Sequence, residues 1–242
     1  MPVPLQDLCD TKLQEYGLSP SSNLSVIDTL GITLDLLKGR ILDVGTGGGR
    51  ALEQALLLGK DIYGIDIALR ARVCNAPVLG TSNIRQSLAL ENLQRVIRQY
   101  PGRIKEADAT VAIPFPDNHF DTVIACVSLP AYCRNSVEAI TSILEMIRVS
   151  SDKVYFSANY PSVPSGGQKA DLGVGATHFK FKLAQLLHDL KNQGIKFTWK
   201  EVVNPSPYSD GKLVSAHLDV TNKNNRKLSL FREQLLSTPG IY

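Results

Sequence analysis

The stretch Ile41-Leu-Asp-Val-Gly-Thr-Gly-Gly-Gly-Arg50 decides the fold of this chain. Apolar residues lead into Asp43, and a glycine cluster follows at once. This pattern predicts a buried strand, then a tight turn whose glycines permit positive φ and close approach of a ligand, then a helix. Backbone N–H groups at a helix start favour a polar or anionic ligand group. The stretch therefore predicts a turn that binds a nucleotide-like ligand.

Composition narrows the class of protein. The chain has 242 residues, 43% of them hydrophobic, which suits one globular domain with a substantial core. The net charge is +3 and no run of five or six like charges occurs, so a large nucleic-acid partner is not indicated. The four cysteines form no C-x-x-C pair, and no run of 18 apolar residues predicts a membrane span. We therefore expect a cytoplasmic protein with no metal site and no membrane partner.

Strand-like and helix-like segments alternate after the amino-terminal arm. Five stretches have the composition of strands: Arg40–Val44, Asp61–Asp66, Arg103–Ala107, Thr122–Val127 and Lys153–Ala158. Four stretches carry apolar residues at helical spacing: Arg50–Leu58, Leu90–Tyr100, Val137–Ile147 and Leu183–Leu190. Asn135, with Glu138 three residues on, predicts a capping pair for the third helix. The alternation predicts a parallel sheet covered by helices on both faces.

The last third of the chain changes character. Ile195–Val203 and Leu213–Thr221 are strand-like, and no helix fits between them, so we expect an antiparallel hairpin. A helix is expected around Leu228–Leu236. The fold class is thus α/β, a three-layer Rossmann-like domain with seven strands, mainly parallel, ending in the hairpin. The single domain divides into an arm, a core and a tail: residues 1–37, 38–221 and 222–242.

The acids around the glycine turn indicate which ligand it holds. Arg50 stands where a dinucleotide fingerprint has its third glycine, which weakens a nicotinamide-cofactor interpretation. Asp43 would repel a pyrophosphate but would favour a ligand with an amino group and a sulfonium. Asp66, 21 residues after Gly45, can accept hydrogen bonds from both hydroxyls of a ribose. Asp108 can accept one from an exocyclic amine such as that of adenine.

Four segments together resemble the class I S-adenosylmethionine-dependent methyltransferases of the small "type 11" kind. They are ILDVGTGGG (41–49), YGIDI (63–67), EADA with IPFPDNHFD (106–109 and 113–121), and TVIACVSL (122–129). The resemblance covers residues 38–150, and the hairpin agrees with it in order and type. It implies S-adenosylmethionine as cofactor, with S-adenosylhomocysteine as product. One departure is the segment 68–83, which intervenes between the ribose acid and the next helix.

The resemblance also assigns cofactor contacts. Asp43 and the turn Gly45, Thr46, Gly47, Gly48 and Gly49 correspond to the methionine part. Asp66 with Ile67 corresponds to the ribose end, and Asp108 with Ala109 to adenine. Cys126 and Val127 correspond to the end of the fourth strand beside the sulfonium. Each of the three aspartates could instead be a simple cap or turn residue, but their position at the carboxyl ends of successive strands favours the ligand interpretation.

The acceptor side is less defined. Tyr132, Asn159 and Tyr160 follow the fourth and fifth strands at the ligand edge and are candidates for the acceptor pocket, although loop packing would also explain the two tyrosines. His178, after the long loop 160–177, is the histidine placed to act as a general base.

The expected reaction is methyl transfer from S-adenosylmethionine, and the absence of a long basic tract favours a small-molecule acceptor. Two alternatives remain open at this point: a nicotinamide-dependent oxidoreductase and a non-catalytic S-adenosylmethionine-binding module. The acceptor atom and the oligomeric state also remain open.

Overall fold

The structure is a computed structural model that describes residues 26–67, 93–126, 128–130, 133, 135–157, 183–203 and 212–237. Within these ranges seven strands form one sheet: β1 (Arg40–Val44), β2 (Asp61–Asp66), β3 (Ile104–Glu106), β4 (Phe120–Ala125), β5 (Ser150–Ser157), β6 (Lys196–Val203) and β7 (Lys212–Asp219). Their order is β3-β2-β1-β4-β5-β7-β6. β7 runs antiparallel to β5 and β6, and the other pairs are parallel. The mainly parallel sheet and the terminal hairpin are confirmed.

Helices occupy the positions that apolar spacing indicated. They are α1 (Arg50–Leu57), α2 (residues 93–99), α3 (Ser136–Val149), α4 (Leu183–Leu190) and α5 (Asn225–Ser237), with 3-10 turns at Val26–Leu30, Leu34–Leu36 and Lys191–Gln193. The predicted cap of α3 is confirmed, because the Glu138 amide donates to Asn135 Oδ1 over 2.9 Å. This bond satisfies one of the amides that a helix start leaves without an internal partner.

The two faces of the sheet bury separate apolar clusters. Side chains of successive strand residues point to opposite faces, so Leu42 joins one cluster while Ile41 joins the other. On the Leu42 side the sheet packs against α3, α4 and α5. On the Ile41 side it packs against α1, α2 and the turn Val26–Leu30. The described residues thus form the expected three layers.

Several element ends differ from the sequence prediction. β5 begins at Ser150, three residues before the predicted start, because Ser150 pairs with Phe120 across the sheet although the residues after it are polar. β4 begins at Phe120 and ends at Ala125, where a turn follows at Cys126. α5 begins at Asn225, before the predicted Leu228, because the side chain of Asn224 accepts a hydrogen bond from the Lys227 amide and caps it.

A buried carboxylate joins the carboxyl-terminal helix to the core. Glu145 of α3, only 2% exposed, pairs with Arg148 over 2.7 Å and with Arg232 of α5 over 2.8 Å. It also accepts the Ile113 amide over 2.8 Å. Because ion pairs and a backbone donor surround the carboxylate, its burial is compensated.

Local polar contacts order the edge of the sheet opposite the glycine turn. Gly39 has φ +62°, and the carboxylate of Asp121 covers it so closely that a Cβ there would overlap Asp121 Oδ2. Asp121 Oδ2 accepts the Arg40 amide over 2.7 Å. His119 stacks on Phe115 at this edge, with the ring centroids 5.3 Å apart.

Candidate active site

The carboxyl ends of β1, β2 and β4 are neighbours because β1 lies between the other two strands. The chain order reverses at this point: β2 and β3 lie on one side of β1, and β4 and β5 on the other. Ligands of open α/β sheets bind in the crevice at such a switch point. The glycine turn leaves β1 here, so the fold places the predicted site at the position where open α/β sheets bind their ligands.

The backbone amides of the glycine turn donate hydrogen bonds to neighbouring groups of the protein. Gly45, Gly47 and Gly49 have φ values of +71°, +55° and +76°, which side chains rarely adopt. The amides of Gly45 and Thr46 both donate to the Ile65 carbonyl over 2.9 and 3.0 Å.

Further along the turn, the Gly47 amide donates to Asp66 Oδ2 over 2.9 Å, and the Gly49 amide donates to the Thr46 carbonyl over 2.8 Å. These four amides point into the protein. The turn therefore differs from a phosphate cradle, in which successive amides point at the ligand.

Asp43 is a buried carboxylate directly beneath the turn. It is 2% exposed, and the Thr46 hydroxyl donates to its Oδ2 over 2.8 Å. Burial raises the pKa of Asp43 to about 7, the Thr46 hydrogen bond opposes this rise, and the charge of Asp66 adds to it. A carboxylate held in such a place is stabilised by a cation. Its environment therefore suits a positively charged ligand group.

Asp66 ends β2 and is joined to the glycine turn by a hydrogen bond. It is 5% exposed and accepts the Gly47 amide, so the same carboxylate that is proposed for a ribose also fixes the turn. The next residue, Ile67, has 62% of its side chain exposed at the ligand edge. An exposed apolar side chain thus lies next to a buried hydrogen-bond acceptor in the sequence.

Asp108 reaches the same edge through β3. Asp66 pairs with Glu106 in the sheet register, and the Ala107 amide donates to the Asp66 carbonyl over 3.2 Å. Asp108 Oδ1 accepts both the amide and the hydroxyl of Thr110, over 2.9 and 2.6 Å. One carboxylate oxygen of Asp108 thus has the turn role that the sequence left as an alternative. Ala109 is buried.

The end of β4 closes the site on its other side. Ile124 pairs with Asp43 in the register, so Cys126 lies just past Asp43 along the neighbouring strand. Burial raises the pKa of the Cys126 thiol well above its usual range, with the charge of Asp43 adding to this effect. Since a nucleophilic cysteine needs a lowered pKa, Cys126 is a neutral packing residue.

Sequence reasoning missed Ser128. This side chain is 5% exposed, and its hydroxyl donates to the Val44 carbonyl over 2.6 Å, next to the glycine turn. No motif could have identified it, because the partner is a backbone atom 84 residues away.

Five predicted site residues lie outside the described residues: Val127, Tyr132, Asn159, Tyr160 and His178. The segments 68–83 and 160–177 also lie outside them. In the part of the chain that the structure describes, no group of three or more His, Cys, Asp or Glu side chains could hold a metal ion. No helix among the described residues has the length and hydrophobicity needed to cross a bilayer.

Comparison with known proteins indicates the class of protein. Residues 42–150 match the model of a family described as "Methyltransferase domain". That range runs from β1 through α3 and contains the glycine turn, Asp66, Asp108 and Cys126. The matched range is a methyltransferase domain, and together with the fold it supports a class I S-adenosylmethionine-dependent methyltransferase. The methyl donor of this class is S-adenosylmethionine.

Solved structures support the fold. The Burkholderia thailandensis 1,6-didemethyltoxoflavin-N1-methyltransferase is 13% identical with a TM-score of 0.50, and the match covers 89% of this chain and 86% of that one. The YcgJ protein from Bacillus subtilis is 12% identical with a TM-score of 0.50, covering 81% of this chain and 99% of that one. A comparison with curated proteins finds no match.

Proposed function

We propose that this enzyme transfers the methyl group of S-adenosylmethionine to a small-molecule acceptor, using the crevice at the ends of β1, β2 and β4. The observation that carries the proposal is the pair of buried carboxylates, Asp43 and Asp66, each hydrogen-bonded to the glycine turn between them. Two buried acids in contact with one turn suit a ligand that carries both a cation and a ribose. They do not suit a pyrophosphate.

Each part of the donor has a proposed set of contacts. Asp43 and the turn residues Gly45–Gly49 hold the methionine part, and Asp43 supplies the negative charge that a cationic ligand requires. Asp66 accepts hydrogen bonds from the ribose hydroxyls, with Ile67 alongside. Asp108 and Ala109 border the adenine. Cys126 and Val127 lie beside the sulfonium, where a small neutral residue leaves room for the methyl group.

The cofactor supplies the hard chemistry, a methyl group activated on a sulfonium for in-line displacement. The contribution of this chain is placement, because holding donor and acceptor in line is worth several kcal/mol of the barrier, on the order of 7 or more in well-oriented cases. No dedicated base is needed when the acceptor is already nucleophilic. Tyr132, Asn159 and Tyr160 remain candidates for the acceptor pocket, and His178 for a general base.

The choice of a small-molecule acceptor rests on two features. The sequence has no long basic tract of the kind that tracks a nucleic-acid backbone. The similar enzyme from Burkholderia thailandensis was solved with a small molecule, 1,6-didemethyltoxoflavin, together with S-adenosylhomocysteine. A fold of this kind can thus hold the spent cofactor and a compact acceptor together.

Isothermal calorimetry tests the donor assignment. S-adenosylmethionine is expected to bind to the wild-type chain, and NAD is expected not to bind. Asp66→Ala should weaken binding by about 1–3 kcal/mol, the cost of removing a charged acceptor from a buried hydrogen-bond set. The matched control is Asp61→Ala, which removes an aspartate from the other end of β2, where Asp61 pairs with Arg40 and Arg103. Equal affinity in both variants would show that the ribose has been misplaced.

We also propose a cytoplasmic location for the enzyme. Cys126 and Cys133 are free thiols, which agrees with a reducing compartment. Fractionation of cells that express a tagged chain would test this: recovery in an oxidising compartment, with the thiols blocked to alkylation, would contradict it.

A further inference from the structure

Among the described residues that follow β4, Ser128 packs against the glycine turn. The side chain is 5% exposed, and its hydroxyl donates to the Val44 carbonyl over 2.6 Å. Val44 is the last residue of β1, and Gly45 begins the turn. Ser128 therefore joins the end of β4 to the point where β1 becomes the turn.

The Ser128 hydroxyl donates to a carbonyl, that of Val44, which lies beyond the last residue pair between β1 and β4. The register between β1 and β4 ends at Asp43 and Ile124, so β4 offers no amide to Val44. A buried carbonyl without a partner costs about 1–3 kcal/mol. Ser128 supplies the donor from a side chain instead, which lets the chain leave the sheet after Ala125 and still satisfy the neighbouring strand.

Ser128 also packs closely against Gly45. A Cβ built on Gly45 would lie 2.6 Å from Ser128 Cβ, closer than real Cβ contacts. The glycine is thus required by φ +71° and also by the nearness of Ser128. On its other side the turn is fixed to β2, through the Ile65 carbonyl and the Asp66 carboxylate. The turn is thus held by β2 on one side and by Ser128, which lies past the end of β4, on the other.

We propose that Ser128 is a positioning residue for methyl transfer, which sets the spacing between the donor-binding turn and the chain segment beside the transferred methyl group. This inference rests on the proposed function, because it takes the turn as the donor site and the residues after β4 as its boundary on the acceptor side. Ser128 acts through Val44 and Gly45, and it need not touch the cofactor. Since in-line transfer depends on sub-ångström placement, loosening this contact should slow transfer as well as weaken binding.

The test compares Ser128→Ala with Ser150→Ala. Ser150 is also a buried serine whose hydroxyl donates to a backbone carbonyl, that of Lys153 over 2.9 Å, but it lies at the opposite edge of the sheet. Thermal unfolding reports the stability of each variant. Calorimetry with S-adenosylmethionine gives Kd, and transfer of labelled methyl to a cell extract at saturating S-adenosylmethionine gives a relative rate.

Ser128→Ala is expected to raise Kd at least fivefold and to lower the rate at saturating donor about tenfold. Ser150→Ala should leave both quantities within twofold of wild type while losing similar stability. A Ser128→Ala variant that matches Ser150→Ala in Kd and rate would overturn the inference, because the contact would then be structural only. A wild-type chain that does not bind S-adenosylmethionine would overturn the proposed function itself. That result is distinct, because it is measured on the wild type and does not depend on either variant.

A second variant covers the case in which Ser128→Ala does not fold. Ser128→Cys keeps the branching of the side chain but replaces the hydroxyl by a larger thiol, which is a weaker donor. Its Kd and rate are expected to move in the same direction by at least threefold. Values equal to those of Ser150→Ala would again overturn the inference.

Discussion

Asp43 should make cofactor binding depend on pH near neutrality. Burial raises the pKa of this carboxyl to about 7, so near pH 7 about half of the unliganded molecules hold it neutral. Only the ionised carboxylate attracts a cationic ligand. Binding should therefore strengthen as pH rises through 7, and it should release a proton from the protein.

The magnitude follows from the fraction of binding-competent protein. If only ionised Asp43 binds, about a tenth of the chains are competent at pH 6 and about nine tenths at pH 8. The apparent Kd for S-adenosylmethionine should then be roughly tenfold higher at pH 6 than at pH 8. Thr46→Val removes the hydrogen bond that lowers the pKa of Asp43, so the midpoint of the pH profile should move to higher pH.

The same pKa shift has the opposite effect on stability. As pH rises, donor binding should strengthen, but the unliganded chain should become less stable. Between pH 4 and 7 the folded chain holds a proton on Asp43 that the unfolded chain has lost, so this group's contribution to stability falls as pH rises through that window. A rise from 3.8 to about 7 corresponds to about 4 kcal/mol at full ionisation. Asp43→Asn should thus stabilise the unliganded chain at pH 8 by about 2–4 kcal/mol while it weakens donor binding.

Calorimetry in two buffers of different ionisation enthalpy measures Kd and proton release together, and urea unfolding at pH 5 and pH 8 measures stability. Asp43→Asn is the control, because it keeps the shape of the side chain, removes its titration and leaves the titration of the ligand unchanged. A pH profile that is the same in wild type and Asp43→Asn would refute the assignment of Asp43 to the cationic part of the donor. So would binding that is tighter at pH 6 than at pH 8 in the wild type alone.

Two further predictions concern the turn and the core. Gly45→Ala and Gly59→Ala both place a side chain at φ +71°, but nothing lies within 4 Å of a Cβ on Gly59. Gly59→Ala should cost about 1–2 kcal/mol of unfolding free energy, and Gly45→Ala about 1–3 kcal/mol more with loss of donor binding; equal unfolding curves would contradict the steric account. Glu145→Ala should cost about 1–3 kcal/mol, because it leaves the buried Ile113 amide without its acceptor and two half-buried arginines without their carboxylate. Asp117→Ala removes the exposed partner of Arg148 and should cost less than about 1 kcal/mol, and chemical denaturation that ranks the pair in the reverse order would contradict this.

The sequence predicted the elements whose signals are local. β1 and β2 have the predicted bounds because each apolar run is closed by a glycine turn or an acid. The cap at Asn135 could be predicted from the sequence, because its side chain accepts a hydrogen bond from an amide only three residues away. The start of β5 could not be predicted from the sequence, because Ser150 belongs to the strand only through its pairing with Phe120.

In the candidate site, too, the sequence predicted local features but not contacts that depend on the folded chain. The position of Asp43 and Asp66 at the carboxyl ends of successive strands follows from the pattern of apolar runs. That Asp66 also accepts the Gly47 amide, and that Asp108 accepts Thr110, depends on turn geometry that spacing does not specify. Ser128 was missed for a tertiary reason, since its hydroxyl matters only because the ladder between β1 and β4 ends one residue early.

The central claim is that this crevice delivers the methyl group of S-adenosylmethionine to a small molecule. Its most direct measurement uses methyl-labelled S-adenosylmethionine, the purified chain and a cell extract separated by size before the reaction. The account predicts label in a product of the low-mass fraction, with stoichiometric S-adenosylhomocysteine, and strong loss of both with Asp66→Ala but not with Asp61→Ala. Binding of S-adenosylmethionine without any transfer of label, or label confined to the macromolecular fraction, would contradict it.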